Sequence, residues 1–138
     1  MTLTEEKRNL FDYVSNKDYR FAHCISADYA MGAGIAVDFK KIFKLQNRVK
    51  EAGSGTFPEV IYTEPVYNLV TKSKYWNKPT YGSLSLCLIK LRNIVPAGTT
   101  IVMPRIGCGL DKLKWAKVRE LINEIFDGVD INFIVCRL

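Results

Sequence analysis

Lys72 follows Leu69-Val70-Thr71, at the carboxyl end of a predicted strand that covers Val66–Val70. A lysine at such a place is ordinarily a solvated surface charge. Its sharper reading is a nucleophilic amine, which must be neutral to attack, a state favoured by burial or by cationic neighbours such as Lys74 and Lys78. Asp111 ends the run Met103-Pro104-Arg105-Ile106-Gly107-Cys108-Gly109-Leu110-Asp111. It can belong to the cap of the helix that follows, or face a pocket as general acid or base. Gly107 and Gly109 form a G-x-G after one predicted strand. Gly32 and Gly34, in Met31-Gly32-Ala33-Gly34-Ile35, form another after His23-Cys24-Ile25-Ser26-Ala27-Asp28. A G-x-G at a strand-to-helix turn lets backbone N–H groups approach a phosphate at the positive end of the helix. Two such loops at one sheet edge can hold a diphosphate between them. Each alone is a weak signal and is more commonly a tight turn that needs glycine for its dihedrals.

These residues require strands that end together and helices that begin beside them. Apolar runs of strand type cover Phe21–Ile25, Glu59–Thr63, Val66–Val70, Thr100–Met103 and Ile131–Val135, several of them continuous, as for strands covered on both faces. Glu64-Pro65 interrupts the second and third, which suits a hairpin or a bent strand. Helical stripes comprise Ile35, Phe39, Ile42, Phe43 and Val49; then Leu84, Leu88, Leu91 and Val95; then Trp115, Val118, Leu121, Ile122, Ile125 and Phe126. The second stops at Pro96-Ala97-Gly98 and the third near Asp127-Gly128. From Phe21 onward the order reads β-α-β-β-α-β-α-β. It predicts a three-layer α/β/α sandwich with a mixed central sheet, whose ligands bind outside the carboxyl ends of the strands.

With 138 residues, the chain is expected to be a single domain over 1–138 with a core that needs no staple. No apolar run approaches the roughly 18 residues of a membrane span, and Met1 to Arg8 does not read as a signal peptide. Cys24, Cys87, Cys108 and Cys136 form no C-x-x-C pair, and His23 is the only histidine. The expectation is therefore no metal site, no cofactor and reduced thiols in a cytoplasmic protein, or a nuclear one in a eukaryote. A Ser-His-Asp triad and a P-loop are both missing from the pattern. The net charge of +6 is uneven: residues 40–119 hold 15 basic and 4 acidic side chains, whereas both flanks are acidic. Lys40, Lys41, Lys44, Arg48 and Lys50 lie off the apolar stripe of the first helix. They read as a solvated face or as a surface for an anionic partner such as nucleic acid.

Together, His23-Cys24-Ile25-Ser26, Met31 through Val37, Lys78-Pro79-Thr80-Tyr81, and Met103 through Leu113 with Trp115 resemble the macrodomains. The likeness is closest to the terminal ADP-ribose protein glycohydrolases and runs from Leu10 to Leu138. It implies a single macrodomain that hydrolyses the bond between ADP-ribose and a modified macromolecule. It also implies a nucleophilic Lys72 that forms a covalent lysine–ADP-ribose adduct, with Asp111 moving protons. The ADP-ribose site implied by the likeness comprises Asn9, Leu10, His23, Ser26, Met31, Gly32, Ala33, Gly34, Ile35, Thr71, Arg105, Ile106, Gly107, Cys108, Gly109, Leu110 and Leu138. The acceptors it implies are acidic side chains carrying an ADP-ribosyl ester, or ADP-ribosylated DNA bases. The expected partners are thus ADP-ribosylated protein or DNA, with a monomer acting away from membranes. A reader module that binds without hydrolysis, and a hydrolase of small derivatives such as O-acetyl-ADP-ribose, remain as alternatives. The chain departs from the family at Arg8-Asn9, where macrodomains commonly have Gly-Asp and the aspartate receives the adenine amino group. Asn9 accepts a hydrogen bond without the charge, so adenine is expected to be anchored more weakly or in a rearranged way. Glu5-Glu6-Lys7-Arg8 also predicts a short or irregular first strand.

Overall fold

The computed structural model describes residues 1–138. Six strands make one sheet: β1 (Thr2–Lys7), β2 (Arg20–Ser26), β3 (Glu59–Thr63), β4 (Val66–Lys72), β5 (Thr99–Met103) and β6 (Ile131–Arg137). Their spatial order is β1-β6-β5-β2-β4-β3. All neighbouring pairs are parallel except β3–β4, the hairpin turned by Glu64-Pro65. Four helices follow the expected stripes: α1 (Ile35–Phe43), α2 (Leu45–Ala52), α3 (Tyr81–Ile94) and α4 (Trp115–Ile125). No helix is long and apolar enough to cross a membrane.

Alternation along each strand builds the three layers. Ala22, Leu69, Ile101, Met103, Phe133 and Val135 face α3 and α4, where Leu84, Leu88, Leu91, Val118, Ile122 and Phe126 are fully buried. Phe21, Ile25, Val66, Val70 and Val102 face the other way, onto Phe39 of α1 and Leu45 and Val49 of α2. Thr80 starts α3 with a reciprocal cap: its hydroxyl accepts from the Ser83 N–H while Ser83 Oγ accepts from the Thr80 N–H.

Two expectations are corrected. The first strand is neither short nor irregular: β1 pairs with β6 in continuous register from Thr2↔Asn132 to Lys7↔Arg137. As an edge strand with mostly exposed side chains, it keeps Glu5, Glu6 and Lys7 without burying them. The first helix is two helices. Lys44 takes a left-handed conformation (φ +53°) between them, and the Arg48 guanidinium donates to the Phe43 carbonyl at 2.8 Å, satisfying the end of α1. The break turns Leu45 and Val49 into the core. Ile35 and Ile42 of the same apolar stripe stay 37% and 44% exposed because they line the cleft described next.

Candidate active site

Because β1, β6, β5, β2 and β4 run parallel, the loops leaving them open at one edge of the sheet. There they enclose a cleft of about 1580 Å³, larger than the roughly 300–1,000 Å³ of an ordinary small-molecule pocket. Lys72 and Asp111 meet in it. Lys72 Nζ donates to Asp111 Oδ1 at 2.6 Å, and the two side chains are only 13% and 16% exposed.

Each partner is aimed by its backbone. In the β2–β4 ladder, Ile25 faces Val70 but Ser26 faces Lys72, so Thr71 is an extra residue in β4. A bulge of this kind bends a strand and re-aims the next side chain, here Lys72. Asp111 sits on a loop folded on itself: Cys108 N–H donates to Arg105 O, Lys112 N–H to Gly109 O, and Leu113 N–H to Gly107 O. Gly107 has φ +73°, and a Cβ there would come within 2.9 Å of Leu113 Cδ1, so the turn needs glycine. Asp111 does not cap α4, whose cap residue is Lys114 with no side-chain bond. The pocket-facing reading of Asp111 is the one that fits. The two glycine loops meet across the cleft at Leu110, whose Cδ1 lies 3.2 Å from where a Gly34 Cβ would stand. Gly34, at φ +61°, leads into the first turn of α1, where the Val37 N–H donates to the Gly34 carbonyl and the N–H groups before it lack intrahelical acceptors.

Of the residues expected at the ADP-ribose site, Asn9, Leu10, Ser26, Met31 through Ile35, Arg105 through Leu110 and Leu138 all line the cleft. His23 and Thr71 do not. His23 lies in the middle of β2 with no exposed surface and stacks on Phe39 (centroids 4.2 Å apart). Its Nε2 meets Asn68 Oδ1 at 2.6 Å, and Asn68 Nδ2 donates onward to the Ile61 carbonyl and Thr63 Oγ1. Burial pushes the imidazole down to about 4, against the opposing pull of the Asn68 bond. It is a core side chain, as strand alternation between two covered faces dictates. Thr71 is buried as the bulge residue. Asn9 caps the 3-10 turn Leu10–Tyr13, its Oδ1 accepting from the Phe11 N–H at 3.0 Å.

The cleft also holds Phe11, Asp38 and Tyr75, which the sequence did not single out for it, together with Cys24, Lys78 and Trp115 of the family-like stretches. Phe11, next to Leu10, is set edge-on against Phe39 at 5.1 Å. Lys78 Nζ donates to the Leu110 carbonyl at 2.7 Å, tying the β4–α3 loop to the second glycine loop. Lys74, the other expected cationic neighbour of Lys72, is not a lining residue; its charge acts on Asp28. Asp28 ties a third loop in. It accepts from Ser26 Oγ (2.5 Å) and the Ala30 N–H (3.2 Å) on one oxygen and from the Tyr75 N–H (2.9 Å) on the other. Burial would raise its pKa, but these donors and Lys74 outweigh that and hold it below the ordinary 3.8. Glu5 plays the same part at the far wall, accepting from Trp115 Nε1 (2.7 Å), Arg119 (2.9 Å) and Arg105 (3.5 Å). Burial opposes ionisation there too, and the donors prevail, leaving its pKa lowered.

Lys72 is not the only nucleophile type in the cleft, since Cys24 and Cys108 line it as well. Burial raises the Cys24 thiol far above its usual range, helped by Cys87 and Asp111, and lifts Cys108 to about 11. Both are held as thiols and are poor nucleophiles at neutral pH. No three His, Cys, Asp or Glu side chains come together as a metal site would need. The arrangement thus offers an amine, a carboxylate in contact with it, and two glycine loops facing each other across an elongated, open cleft.

No family model matches the chain. The ADP-ribose glycohydrolase OARD1 of Homo sapiens is 41% identical over 146 aligned residues, covering 99% of this chain and 91% of that protein. Among solved structures, the macrodomain of Thermus aquaticus DarG superposes with a TM-score of 0.77 at 18% identity, covering 99% of both chains. Thermosipho africanus DarTG, solved in complex with ADP-ribose, gives a TM-score of 0.72 at 14% identity over 98% of this chain and 42% of that one. The two structural likenesses support the fold, a three-layer macrodomain. With the identity to the human protein running along nearly the whole of both chains, this protein belongs to the ADP-ribose glycohydrolase family of macrodomains.

Proposed function

We propose that this protein is a hydrolase that removes ADP-ribose from a modified macromolecule, with Lys72 as nucleophile and Asp111 as proton carrier. The observation that carries the reading is the 2.6 Å contact between Lys72 Nζ and Asp111 Oδ1 inside the cleft. A module that only binds has no need of an amine and a carboxylate so placed. The relatives' name and the DarTG complex with ADP-ribose support the ligand. Adenine is received at Asn9, Leu10, Phe11 and Leu138, and the diphosphate lies between the two glycine loops. The distal ribose reaches Lys72.

The anomeric carbon of the distal ribose is a masked aldehyde and accepts an amine as a Schiff base. Asp111 takes a proton from the Lys72 ammonium, and the freed Nζ attacks the anomeric carbon. The bond to the acceptor breaks, and an acceptor carboxylate leaves with its electron pair. The sugar ring opens to a protonated imine as its ring oxygen takes the proton held by Asp111 and the second Nζ proton passes to solvent. Water then adds to that carbon, giving a proton to the freed Asp111 carboxylate. Asp111 returns that proton to Nζ and takes up the new hydroxyl's proton as the carbon–nitrogen bond breaks and ADP-ribose is released; passing the proton to the amine restores the Lys72–Asp111 pair. Proton transfer by a positioned side chain contributes typically ~10²–10⁴-fold.

The test is turnover of a peptide bearing an ADP-ribosyl ester on an acidic side chain. Asp111→Ala is expected to bind ADP-ribose as wild type does while turnover falls by at least about 10²-fold. Unchanged turnover would overturn the role of Asp111. Binding by wild type without turnover of any ADP-ribosylated substrate, macromolecular or small, would make the protein a reader.

A further inference from the structure

Between β2 and α1, the first glycine loop carries three left-handed residues in six: Tyr29 (φ +56°), Met31 (φ +44°) and Gly34 (φ +61°). Glycine takes that conformation freely. Tyrosine and methionine are strained in it and keep it only where their surroundings hold them there. No protein acceptor takes the N–H groups of Met31, Gly32, Ala33 or Gly34, and all four residues line the cleft. Unpaired N–H groups along a backbone that alternates in hand form a concave site for an anion.

Tyr29 holds this loop from behind. It does not line the cleft; it is 7% exposed and packs in the layer of Phe39, Leu45 and Val49. Its Oη accepts from the Gly55 N–H at 2.8 Å, and its carbonyl accepts from Gln46 Nε2 at 2.7 Å. Both donors are fixed in turn. Gln46 belongs to α2, and Gly55 follows Ser54, whose hydroxyl donates to the Glu59 carboxylate at the start of β3 at 2.8 Å. Gly53 makes way for the ring, since a Cβ there would collide with Tyr29 Oη and stand 2.6 Å from Cζ. Gln46, Gly53, Gly55 and Glu59 all lie outside the cleft.

We infer that Tyr29 is a positioning residue of the diphosphate site. Anchored on the Gly55 amide and on Gln46, it holds the first glycine loop in the left-handed turns that leave its N–H groups free for the diphosphate. The inference rests on the reading that places the diphosphate between the two glycine loops, and it extends that site to a side chain the ligand does not touch. Filling the core does not require a left-handed tyrosine. A costly backbone conformation is kept where the turn it makes is used.

Wild type, Tyr29→Phe and Gln46→Leu are compared by calorimetric titration with ADP-ribose and with adenosine, which shares the adenine end but carries no diphosphate. Each variant removes one anchor and keeps the bulk of the side chain. Each is expected to weaken ADP-ribose binding by roughly 2- to 12-fold, the effect of one lost hydrogen bond, with adenosine affinity unchanged. On a peptide bearing an ADP-ribosyl ester, KM rises by the same factor while kcat holds, because the diphosphate is bound alike in substrate and transition state. Unchanged ADP-ribose binding in Tyr29→Phe would overturn the inference. Equal weakening toward ADP-ribose and adenosine would overturn it too, by making Tyr29 a general prop of the fold. Should Tyr29→Phe not fold, Gln46→Leu decides by the same comparison. The two affinities need no turnover, so a wild type that binds ADP-ribose and hydrolyses no substrate refutes the hydrolase reading and leaves this inference to be decided by them.

Discussion

Asp28→Asn isolates one hydrogen bond that joins two loops of the cleft. The carboxylate divides its work: one oxygen takes Ser26 Oγ and the Ala30 N–H, and the other takes the Tyr75 N–H. Asparagine keeps one oxygen, which stays with the first two donors, and turns an NH2 group toward the third. The Tyr75 N–H then faces another donor, and its bond to a charged acceptor is lost. Such a bond contributes about 1.5–3 kcal/mol, and water can reach this partly exposed site, so the lower end, about 1.5 kcal/mol, applies. An unfolding entropy near 2.1 cal/mol/K per residue makes this about a 5 °C fall in Tm for a chain of this length. Differential scanning calorimetry at pH 7 reads it directly. Because the folded-state pKa of Asp28 is depressed below 3.8, the carboxylate's contribution is complete above that value and is lost as pH falls through the folded pKa. The gap between wild type and variant should therefore be constant above about pH 4 and close at lower pH. A variant that melts with wild type at pH 7, or a gap that persists after Asp28 has been protonated, would refute the loop-clamp reasoning.

His23 makes a second pH prediction. Its imidazole is pushed from 6.5 down to about 4 by burial, so the fold holds it neutral. That contribution is full above pH 6.5 and lost as pH falls toward 4, which lowers stability by about 3 kcal/mol across the interval. Urea titrations of wild type and His23→Gln should differ in pH slope there, and parallel slopes would contradict the assignment. Asn9→Asp restores a charged acceptor at the adenine end while an oxygen remains to cap Phe11. Calorimetric titration should show ADP-ribose binding tighter by roughly fivefold, the effect of about 1 kcal/mol from charge assistance. Unchanged or weaker binding would place adenine elsewhere.

Much of the site was legible because parallel strands deliver their loops to one edge. Once β2, β4 and β5 are recognised, Ser26, Lys72 and Arg105 must sit at neighbouring strand ends, and the glycine pairs must follow two of them. The pairing of Lys72 with Asp111 was not legible from spacing, since it crosses two loops, and it came from the likeness to a known family. Other features depend on contacts that no local pattern encodes. The bulge at Thr71 arises from a register shift against β2. The break at Lys44 depends on Arg48 reaching the Phe43 carbonyl. β1 is regular because β6 supplies its hydrogen bonds, whatever the propensity of Glu5 and Glu6. His23 came into the expected site with the likeness to the family, but its place in the middle of β2 puts it in the core, where Asn68 meets its Nε2 and its Nδ1 has no hydrogen-bond partner. The net positive charge of the middle segment pointed toward an anionic partner but not to a place.

The central claim is a covalent path through Lys72, and reductive trapping tests it most directly. Wild type incubated with ADP-ribose and a hydride reductant should gain, by intact mass, one ADP-ribose less one oxygen atom, the secondary amine left when the imine is reduced. Peptide mapping should place it on Lys72, and Lys72→Ala should show none. An adduct that persists in Lys72→Ala, or full turnover of an ester-linked substrate by that variant, would contradict the account.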